Sequence, residues 1–150
     1  VVLGHDAAEI AAKLAPFPVK VVVNAQYAEG MITSVRCGLE TMAEDARAAL
    51  IILGDQPDIS GAVLSQLIDG SKATSKGITV PVFEGRRGHP ILVSMKYRDE
   101  IMTQYGDVGL RGLLAEHPDD IAEIQMNHSG VVQDMDTPED YVREMWKLRD

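Results

Sequence analysis

The sequence predicts an α/β fold: a three-layer α/β/α sandwich around a Rossmann-like, mainly parallel sheet. Strand-like apolar runs alternate with helical patterns through the first half of the chain, as in βαβ crossovers. The run over 48–53 is apolar throughout, which is typical of a strand buried on both faces of a parallel sheet. The 150 residues, 45% of them hydrophobic, can bury one sizeable core. We therefore expect a single domain over 1–150.

In the first half, each strand pattern is followed by a helical one. The predicted elements are a strand ending at Leu3, a helix over 7–14, a strand over 19–23, a helix from about Ser34, a strand over 48–53 and a helix from Ser60 closed by Gly70. In the second of these helices, Val35, Leu39 and Met42 recur at helical spacing, which places them on one face.

The second half changes character, because two strands there are joined by a turn-rich loop over 85–90 and form a hairpin-like excursion. The predicted elements are strands over 78–84 and 91–95, short helices over 97–103 and 108–116, a strand over 121–126, an extended piece over 131–132 and a helix over 138–148.

Charge and composition exclude several classes of partner. The net charge of −9 and the pI near 4.8 argue against nucleic acid or an anionic membrane as a partner. No apolar stretch approaches the roughly 20 residues that span a bilayer. Cys37 is the single cysteine, so the sequence holds neither a disulfide framework nor a cysteine zinc site. One free thiol fits a reducing cytoplasm, where we expect the protein to lie.

The segment Gly54-Asp55-Gln56-Pro57 follows the apolar run directly. Gly54 permits a turn, and Pro57 ends the strand ladder. Asp55 would then lie at the carboxyl edge of the sheet, where open α/β folds bind ligands. Two interpretations stay open: Asp55 binds a divalent metal, or it only caps the next helix.

A second acidic segment, Asp134 to Asp140, lies near the C-terminus. Thr137 suits an N-cap, Pro138 the first helical position, and Asp140 the third position of a capping box. That structural role does not explain Asp134 and Asp136, which precede the cap. Two carboxylates from different strand ends could together hold one Mg²⁺.

The loop Gly85-Arg86-Arg87-Gly88-His89-Pro90 places two arginines and a histidine in six residues of an acidic chain. It is a candidate anion clamp, and the alternative is a solvated hairpin turn. We expect at least one of Arg86, Arg87 and His89 to bind the phosphate of a ligand.

Two further segments have weaker signals for phosphate binding. The helix start over 30–36 carries Ser34 and Arg36, which could contact a nucleotide or phosphate. The glycine-rich segment over 106–112 lacks the ending of a Walker loop, so Asp107 is better explained as a helix cap. His117 is interpreted, like His5 and His128, as a surface or packing residue.

Taken in order, these segments resemble the MobA-like nucleotidyltransferases, and most closely their molybdenum cofactor cytidylyltransferase branch. The segments that carry the resemblance are Val2-Leu3-Gly4-His5, Asn24 to Leu39, Leu53 to Pro57, Gly85 to Pro90, Gly106 to Arg111 and Asp134 to Asp140. Each motif alone is weak, whereas their joint order is specific and spans nearly the whole chain.

The resemblance implies transfer of a nucleotide from an NTP, with CTP favoured over GTP, to molybdopterin or its metal-loaded form, with release of pyrophosphate. It implies that Asp55 and Asp136 are catalytic ligands of Mg²⁺. Such transfer requires mainly that the protein position the substrates and neutralise the phosphate charge, and it needs no protein nucleophile. The substrate-binding residues that it implies are Asn24, Ser34, Arg36, Gly54, Gln56, Pro57, Arg86, Gly88, His89, Pro90 and Asp107. A molybdoenzyme that receives the cofactor would be a further partner.

The glycine-rich signature loop of that family, followed by a lysine, has no counterpart in this sequence. We expect that this domain lacks one strand and the nucleotide-binding loop. Two other functions stay open: a non-catalytic module that binds a pterin or nucleotide, and a sugar-phosphate nucleotidyltransferase of the same fold.

Overall fold

The computed structural model describes residues 1–106 and 108–147 and has the mixed α/β architecture that the sequence predicts. Short 3-10 turns occupy 27–29, 95–97, 118–120 and 129–132. The regular elements are β1 (Val2–Leu3), α1 (Ala7–Leu14), β2 (Val22–Val23), α2 (Met31–Glu40), β3 (Ala48–Ile51), α3 (Gly61–Lys72), β4 (Ile78–Phe83), β5 (Arg86–Arg87), β6 (Ile91–Ser94), α4 (Arg98–Thr103), α5 (Leu110–Glu116), β7 (Ile121–Gln125) and α6 (Pro138–Lys147).

The chain divides into two compact units. The first comprises 1–49 and 94–119, and the second comprises 50–93 and 120–150. Each unit therefore draws on two separate stretches of sequence.

In the first unit, β1 and β2 form a parallel pair, with Val2 opposite Val22 and Leu3 opposite Val23. Helix α2 packs against this pair and against α4. Its buried residues Ile32, Val35 and Leu39 recur at helical spacing, which confirms Val35 and Leu39 of the predicted apolar face. Met42, the third residue predicted for that face, lies beyond the end of the helix at Glu40 and is half-buried. The helix begins at Met31, three residues before the predicted start.

In the second unit, β4 is the central strand, and its residues from Ile78 to Val82 are almost wholly buried. It pairs parallel with β7 along five residues and antiparallel with β5 and β6. The strand order is β3-β6-β4-β5, with β7 also paired to β4. The antiparallel β4–β5 hairpin confirms the predicted excursion, although its arginines form a short strand rather than a loop.

Helix α3 covers this sheet with Val63 and Leu67 buried. The helix begins at Gly61, next to the predicted start, and Ser60 caps it, since its hydroxyl accepts a hydrogen bond from the Val63 amide at 3.4 Å. The helix does not end at Gly70 but continues to Lys72. A Cβ at position 70 would lie 2.6 Å from the Ile124 side chain, so Gly70 permits close packing of α3 on β7.

Two further expectations are wrong. The apolar run over 48–53 is not buried on both faces: only Ala49 is buried, and Ile52 is 48% exposed. Strand β3 covers only the first four residues of this run and ends at Ile51, so Ile52 lies beyond the strand. Val131 and Val132 are not extended but belong to a 3-10 turn over 129–132.

None of the helices in the described part of the chain has the length and apolar character that a membrane span needs.

Candidate functional site

The strongest candidate site lies in the second unit, where the turn after β3 meets the acidic segment before α6. Asp55 and Met135 join the two through the main chain, since the Met135 amide donates to the Asp55 carbonyl oxygen at 2.8 Å. Residues 55 and 134–136 are 79 or more positions apart in the sequence, and this hydrogen bond brings them side by side. The structure thus brings together the two acidic motifs that the sequence predicts to act together.

Asp55 is half-buried, and its Oδ1 atom is fully buried without a hydrogen-bond partner. A buried acceptor without a donor costs about 1–3 kcal/mol. A bound cation or a ligand donor would remove that cost. Oxygen ligands of this kind suit Mg²⁺ or Mn²⁺, so the donor set present fits a hard divalent cation.

Gln56 is the second buried polar residue at this junction, with 5% of its surface exposed. Its Nε2 donates to Asp134 Oδ1 at 2.8 Å, which adds a side-chain link to the main-chain link. Its Oε1 atom, like Asp55 Oδ1, is buried and has no partner. Two adjacent residues therefore each present an unsatisfied acceptor.

The acidic segment itself is shaped by the cap of α6. Asp140 Oδ2 accepts hydrogen bonds from the amides of Asp136 and Thr137, at 3.2 Å and 2.9 Å. The Thr137 hydroxyl accepts in turn from the Asp140 amide at 3.1 Å, so the predicted capping box is confirmed. Hydrogen bonds from the Thr137 side chain and backbone, and then Arg143, hold the pKa of Asp140 below its usual value.

Asp134 and Asp136 are both exposed, and they differ in their contacts. Asp134 accepts from Gln56, whereas Asp136 follows Met135 and takes part in the cap through its amide. Joint binding of one Mg²⁺ by the side chains of Asp55 and Asp136 stays a prediction.

A shallow depression beside this junction includes residues that sequence reasoning missed. Arg143 supplies its positive charge and pairs with Asp140 at 2.8 Å and Glu144 at 3.5 Å. No local motif marks Arg143, because its position depends on where α6 packs. The depression is lined by Pro57, Asp58, Gln133, Asp134, Met135, Arg143 and Glu144.

The Gly88-His89-Pro90 loop also packs near the acidic segment, against the turn over 129–132. The His89 amide donates to the Val131 carbonyl oxygen at 2.8 Å, and the Gly88 amide donates to Pro81. A Cβ at position 88 would lie 1.8 Å from the Val131 oxygen, so only glycine fits. Pro90 is fully buried, and the bond before it is cis. This loop therefore supports the chain that leads into Asp134.

The two arginines of the predicted anion clamp differ. Arg87 pairs with Glu123 on β7, with 2.7 Å between Nε and the carboxylate, so its charge is already compensated. Arg86 is exposed at the tip of the β4–β5 hairpin. The binding of a phosphate by Arg86, Arg87 or His89 stays a prediction.

The predicted nucleotide contacts of the first unit have intramolecular partners. Asn24 is buried, and its Nδ2 donates to the hydroxyls of Thr33 at 2.8 Å and Ser34 at 3.0 Å. Arg36 donates to the carbonyl oxygens of Ile101 at 2.9 Å and Gln104 at 2.5 Å. These bonds join the end of β2 to the start of α2, and α2 to α4. Asp107 lies outside the described residues.

Sequence reasoning also missed a cluster in the first unit, formed by Glu100, Tyr105, Glu116 and His117. His117 Nε2 lies 2.7 Å from Glu100 Oε1, and the Tyr105 hydroxyl bonds to Glu100 and, at 2.8 Å, to Glu116. Ligand atoms of the two glutamates and His117 lie within 4.8 Å of one another, close enough for one metal ion. The cluster depends on how α4 and α5 pack, so the spacing of these residues in the sequence does not predict it.

The members of this cluster already satisfy one another. Burial raises the pKa of Glu100, but hydrogen bonds from Tyr105 and His117, with the charge of His117, outweigh that effect and hold it below its usual value. Burial and then the hydrogen bonds to Glu100 and Glu116 raise the pKa of Tyr105. The arrangement is that of a structural hydrogen-bond network.

Comparison with known proteins assigns the family. The model of the MobA-like NTP transferase domain matches residues 1–121, and the chain belongs to this family. The resemblance inferred from the sequence motifs is thereby confirmed.

Three relatives show how broad the family is. The chain is 29% identical over 150 residues to nicotine blue oxidoreductase of Paenarthrobacter nicotinovorans, covering 95% of the chain and 72% of that protein. It is 23% identical over 126 residues to molybdenum cofactor cytidylyltransferase of Escherichia coli, covering 83% of the chain and 61% of the relative. The structure of Rv0371c from Mycobacterium tuberculosis in complex with manganese matches with a TM-score of 0.78 at 29% identity, covering 95% and 73%.

Proposed function

We propose that this domain transfers a nucleotide from an NTP, with CTP favoured, to a molybdopterin-type acceptor and releases pyrophosphate. The family supports the transferase class, and the cytidylyltransferase relative supports this acceptor and nucleotide. The single observation that carries the proposal is the unsatisfied Oδ1 atom of Asp55 beside the acidic segment.

In this proposal, Asp55 and Asp136 hold one Mg²⁺. The bound ion would neutralise phosphate charge during transfer, which is the main requirement of such chemistry. Asp55 supplies a half-buried carboxylate whose Oδ1 atom is buried, and the Met135 hydrogen bond keeps the acidic segment beside it. Manganese in the complex of the related Rv0371c supports a divalent cation in this family.

Arg86 is proposed to bind the acceptor phosphate. Its planar guanidinium suits phosphate oxygens, and its exposed position at the hairpin tip leaves it accessible. Asn24, Ser34 and Arg36 are proposed to shape the nucleotide-binding part of the first unit. The bond between Asn24 and Ser34 positions the start of α2, and the bond of Arg36 to the Ile101 carbonyl oxygen joins α2 to α4. A molybdoenzyme is proposed to receive the product.

Replacement of Asp55 tests the proposal. In the Asp55→Asn variant, pyrophosphate release from CTP and molybdopterin should fall at least about a hundredfold, because removal of one preorganised electrostatic group typically has that effect. Folding should be retained, since the asparagine keeps the shape of the side chain. The matched control is Asp69→Asn, which removes an exposed carboxylate paired with Lys72 on α3 of the same unit.

Equal activity of the Asp55→Asn and Asp69→Asn variants would show that Asp55 does not act in catalysis. GTP and sugar phosphates serve as competing substrates in the same assay. Binding of nucleotide or pterin without turnover would favour the non-catalytic module.

A redox function is a second candidate, because the relative that matches 95% of the chain is nicotine blue oxidoreductase. Reduction of a dye needs an electron-carrying cofactor. The assay is therefore repeated with nicotine blue and a reduced nicotinamide or flavin. Loss of dye colour that depends on the protein, without pyrophosphate release from any NTP, would replace the transferase proposal.

A further inference from the structure

The side-chain amide of Gln56 links the turn after β3 to the acidic segment through one of its two polar atoms. Its Nε2 reaches Asp134 Oδ1 at 2.8 Å, and its Oε1 is buried without a donor. Gln56 as a whole is 95% buried, since its exposed fraction is 5%. A side chain that served only to hold Asp134 would gain nothing from burying its other polar atom, which costs about 1–3 kcal/mol when unpaired.

The carboxylates of Asp55 and Asp134 explain why the side chain at position 56 is a neutral amide. A glutamate at 56 would place a third carboxylate beside Asp55 and Asp134 and could not donate to either. The neutral amide donates through Nε2 while it offers an acceptor through Oε1. The acceptor of Gln56 and that of Asp55 belong to consecutive residues, and both lack a donor.

We propose that Gln56 is a positioning residue for the divalent-cation site: it holds Asp134 beside Asp55 and accepts a hydrogen bond at Oε1 from water bound to the cation. This inference rests on the proposed function. Mg²⁺ and Mn²⁺ in such sites keep several waters, and groups that bond to metal-bound ligands orient them. The buried Oε1 is an acceptor for such a water.

The Gln56→Met variant separates this role from a structural one. Methionine fills a similar volume and removes both polar atoms without changing the charge. Asp134 is exposed, so water can replace the lost amide donor, and removal of an unpaired buried oxygen favours folding. We expect the thermal midpoint without metal to stay equal or rise, while Mn²⁺ affinity falls about tenfold, as typical for outer-shell partners.

Mn²⁺ binding is measured by titration calorimetry of the full 150-residue chain without nucleotide, beside a thermal unfolding scan. The control is Gln66→Met, which removes an exposed amide that donates to the Gln125 carbonyl oxygen at 2.9 Å in the same unit. It should leave Mn²⁺ affinity unchanged. The exchange Gln56→Glu with Asp134→Asn keeps the total charge and reverses donor and acceptor, so it should restore most of the affinity.

The outcomes distinguish the two proposals. Unchanged Mn²⁺ affinity in Gln56→Met, with a wild-type chain that binds Mn²⁺, overturns the role of Gln56 alone. A loss of metal-free stability in that variant, or no recovery in the exchanged pair, also overturns it. Failure of the wild-type chain to bind Mn²⁺ overturns the metal site and this inference together. If Mn²⁺ binding behaves as expected but no nucleotide is transferred, the proposed reaction is wrong while Gln56 keeps its role.

Discussion

Gly88 shows how one residue without a side chain fixes the path of another segment. Its α-carbon faces the Val131 carbonyl oxygen so closely that a Cβ would lie 1.8 Å away. The neighbouring His89 amide bonds to the same oxygen. The turn over 129–132 leads directly to Asp134, so this contact helps to set where the acidic segment begins.

The Gly88→Ala variant should be destabilised, because the group that the new methyl meets is main chain and cannot rotate away. We expect a loss of about 1–3 kcal/mol in the free energy of unfolding, the range for overpacked sites. Urea denaturation measures it. The control is Gly61→Ala at the first position of α3, where a Cβ meets no atom within 4 Å. It should be neutral or slightly stabilising, and equal loss in both variants would contradict the steric argument.

The elements follow the sequence closely where their own pattern sets them. The apolar face of α2 is predicted from the spacing of Val35 and Leu39, the start of α3 near Ser60, and the cap of α6 from Thr137. The end of an element is harder to predict from its own pattern. Ile52 is exposed beyond the end of β3 at Ile51, and nothing within the apolar run itself indicates that the strand ends there.

The same distinction applies to the candidate site. The Gly-Asp-Gln-Pro and Asp-Thr-Pro-Glu-Asp motifs could be found from local chemistry, and the hydrogen bond of Met135 to Asp55 shows that they meet. The bond of Gln56 to Asp134 spans 78 positions and needs both side chains placed in space. Arg143 and the Glu100 cluster depend on helix packing in the same way.

Asn24 gives an element-scale prediction, because it links the end of β2 to the start of α2. The Asn24→Ala variant loses the bonds to Thr33 and Ser34 and leaves the Gln26 amide without its acceptor. We expect a loss of about 1–3 kcal/mol in the free energy of unfolding, since buried polar partners are left unpaired.

The matched control is Asn127→Ala, which truncates an exposed asparagine and should change stability little. Both variants are compared by chemical denaturation. If Asn24→Ala unfolds like the wild-type chain but binds nucleotide poorly, Asn24 contacts substrate rather than stabilising the first unit.

At the scale of the whole molecule, the chain has 23 acidic and 14 basic residues, so lowering the pH changes the charge of many side chains. The dependence of unfolding on pH is therefore informative. Among the carboxylates, Glu100 has a specific reason to respond, because Tyr105 and His117 donate to its ionised form. Its pKa is lower in the folded than in the unfolded chain. Its contribution to stability is therefore present above its unfolded pKa and lost as the pH falls through its folded pKa.

Glu100→Gln should weaken this acid dependence. Stability of the variant should be lower near neutral pH, and it should fall less than that of the wild-type chain as the pH drops below the usual glutamate pKa. Thermal unfolding from pH 7 to pH 3 measures the difference. Glu44→Gln, at an exposed position, is the control. Parallel curves for Glu100→Gln and the wild type would show that ionisation of Glu100 contributes nothing to the acid dependence.

Tyr105 should affect how the stability of the chain depends on pH in the alkaline range. Its pKa is raised by burial and by its two glutamate neighbours, so the neutral hydroxyl is favoured in the folded chain. The corresponding stability is present below the ordinary tyrosine pKa and is lost as the pH rises through the folded value. The cluster should thus stabilise the folded first unit most strongly at pH values where Glu100 is ionised and Tyr105 is neutral.

The acidic segment is held by hydrogen bonds at two places, and this affects the entropy of ligand binding. The Met135 amide is tied to Asp55, and the next two amides are tied to Asp140. The backbone on both sides of Asp136 therefore loses its freedom when the protein folds, before any ligand arrives. A cation or nucleotide that binds there need not spend interaction energy on ordering this stretch of chain, so more of that energy remains as affinity.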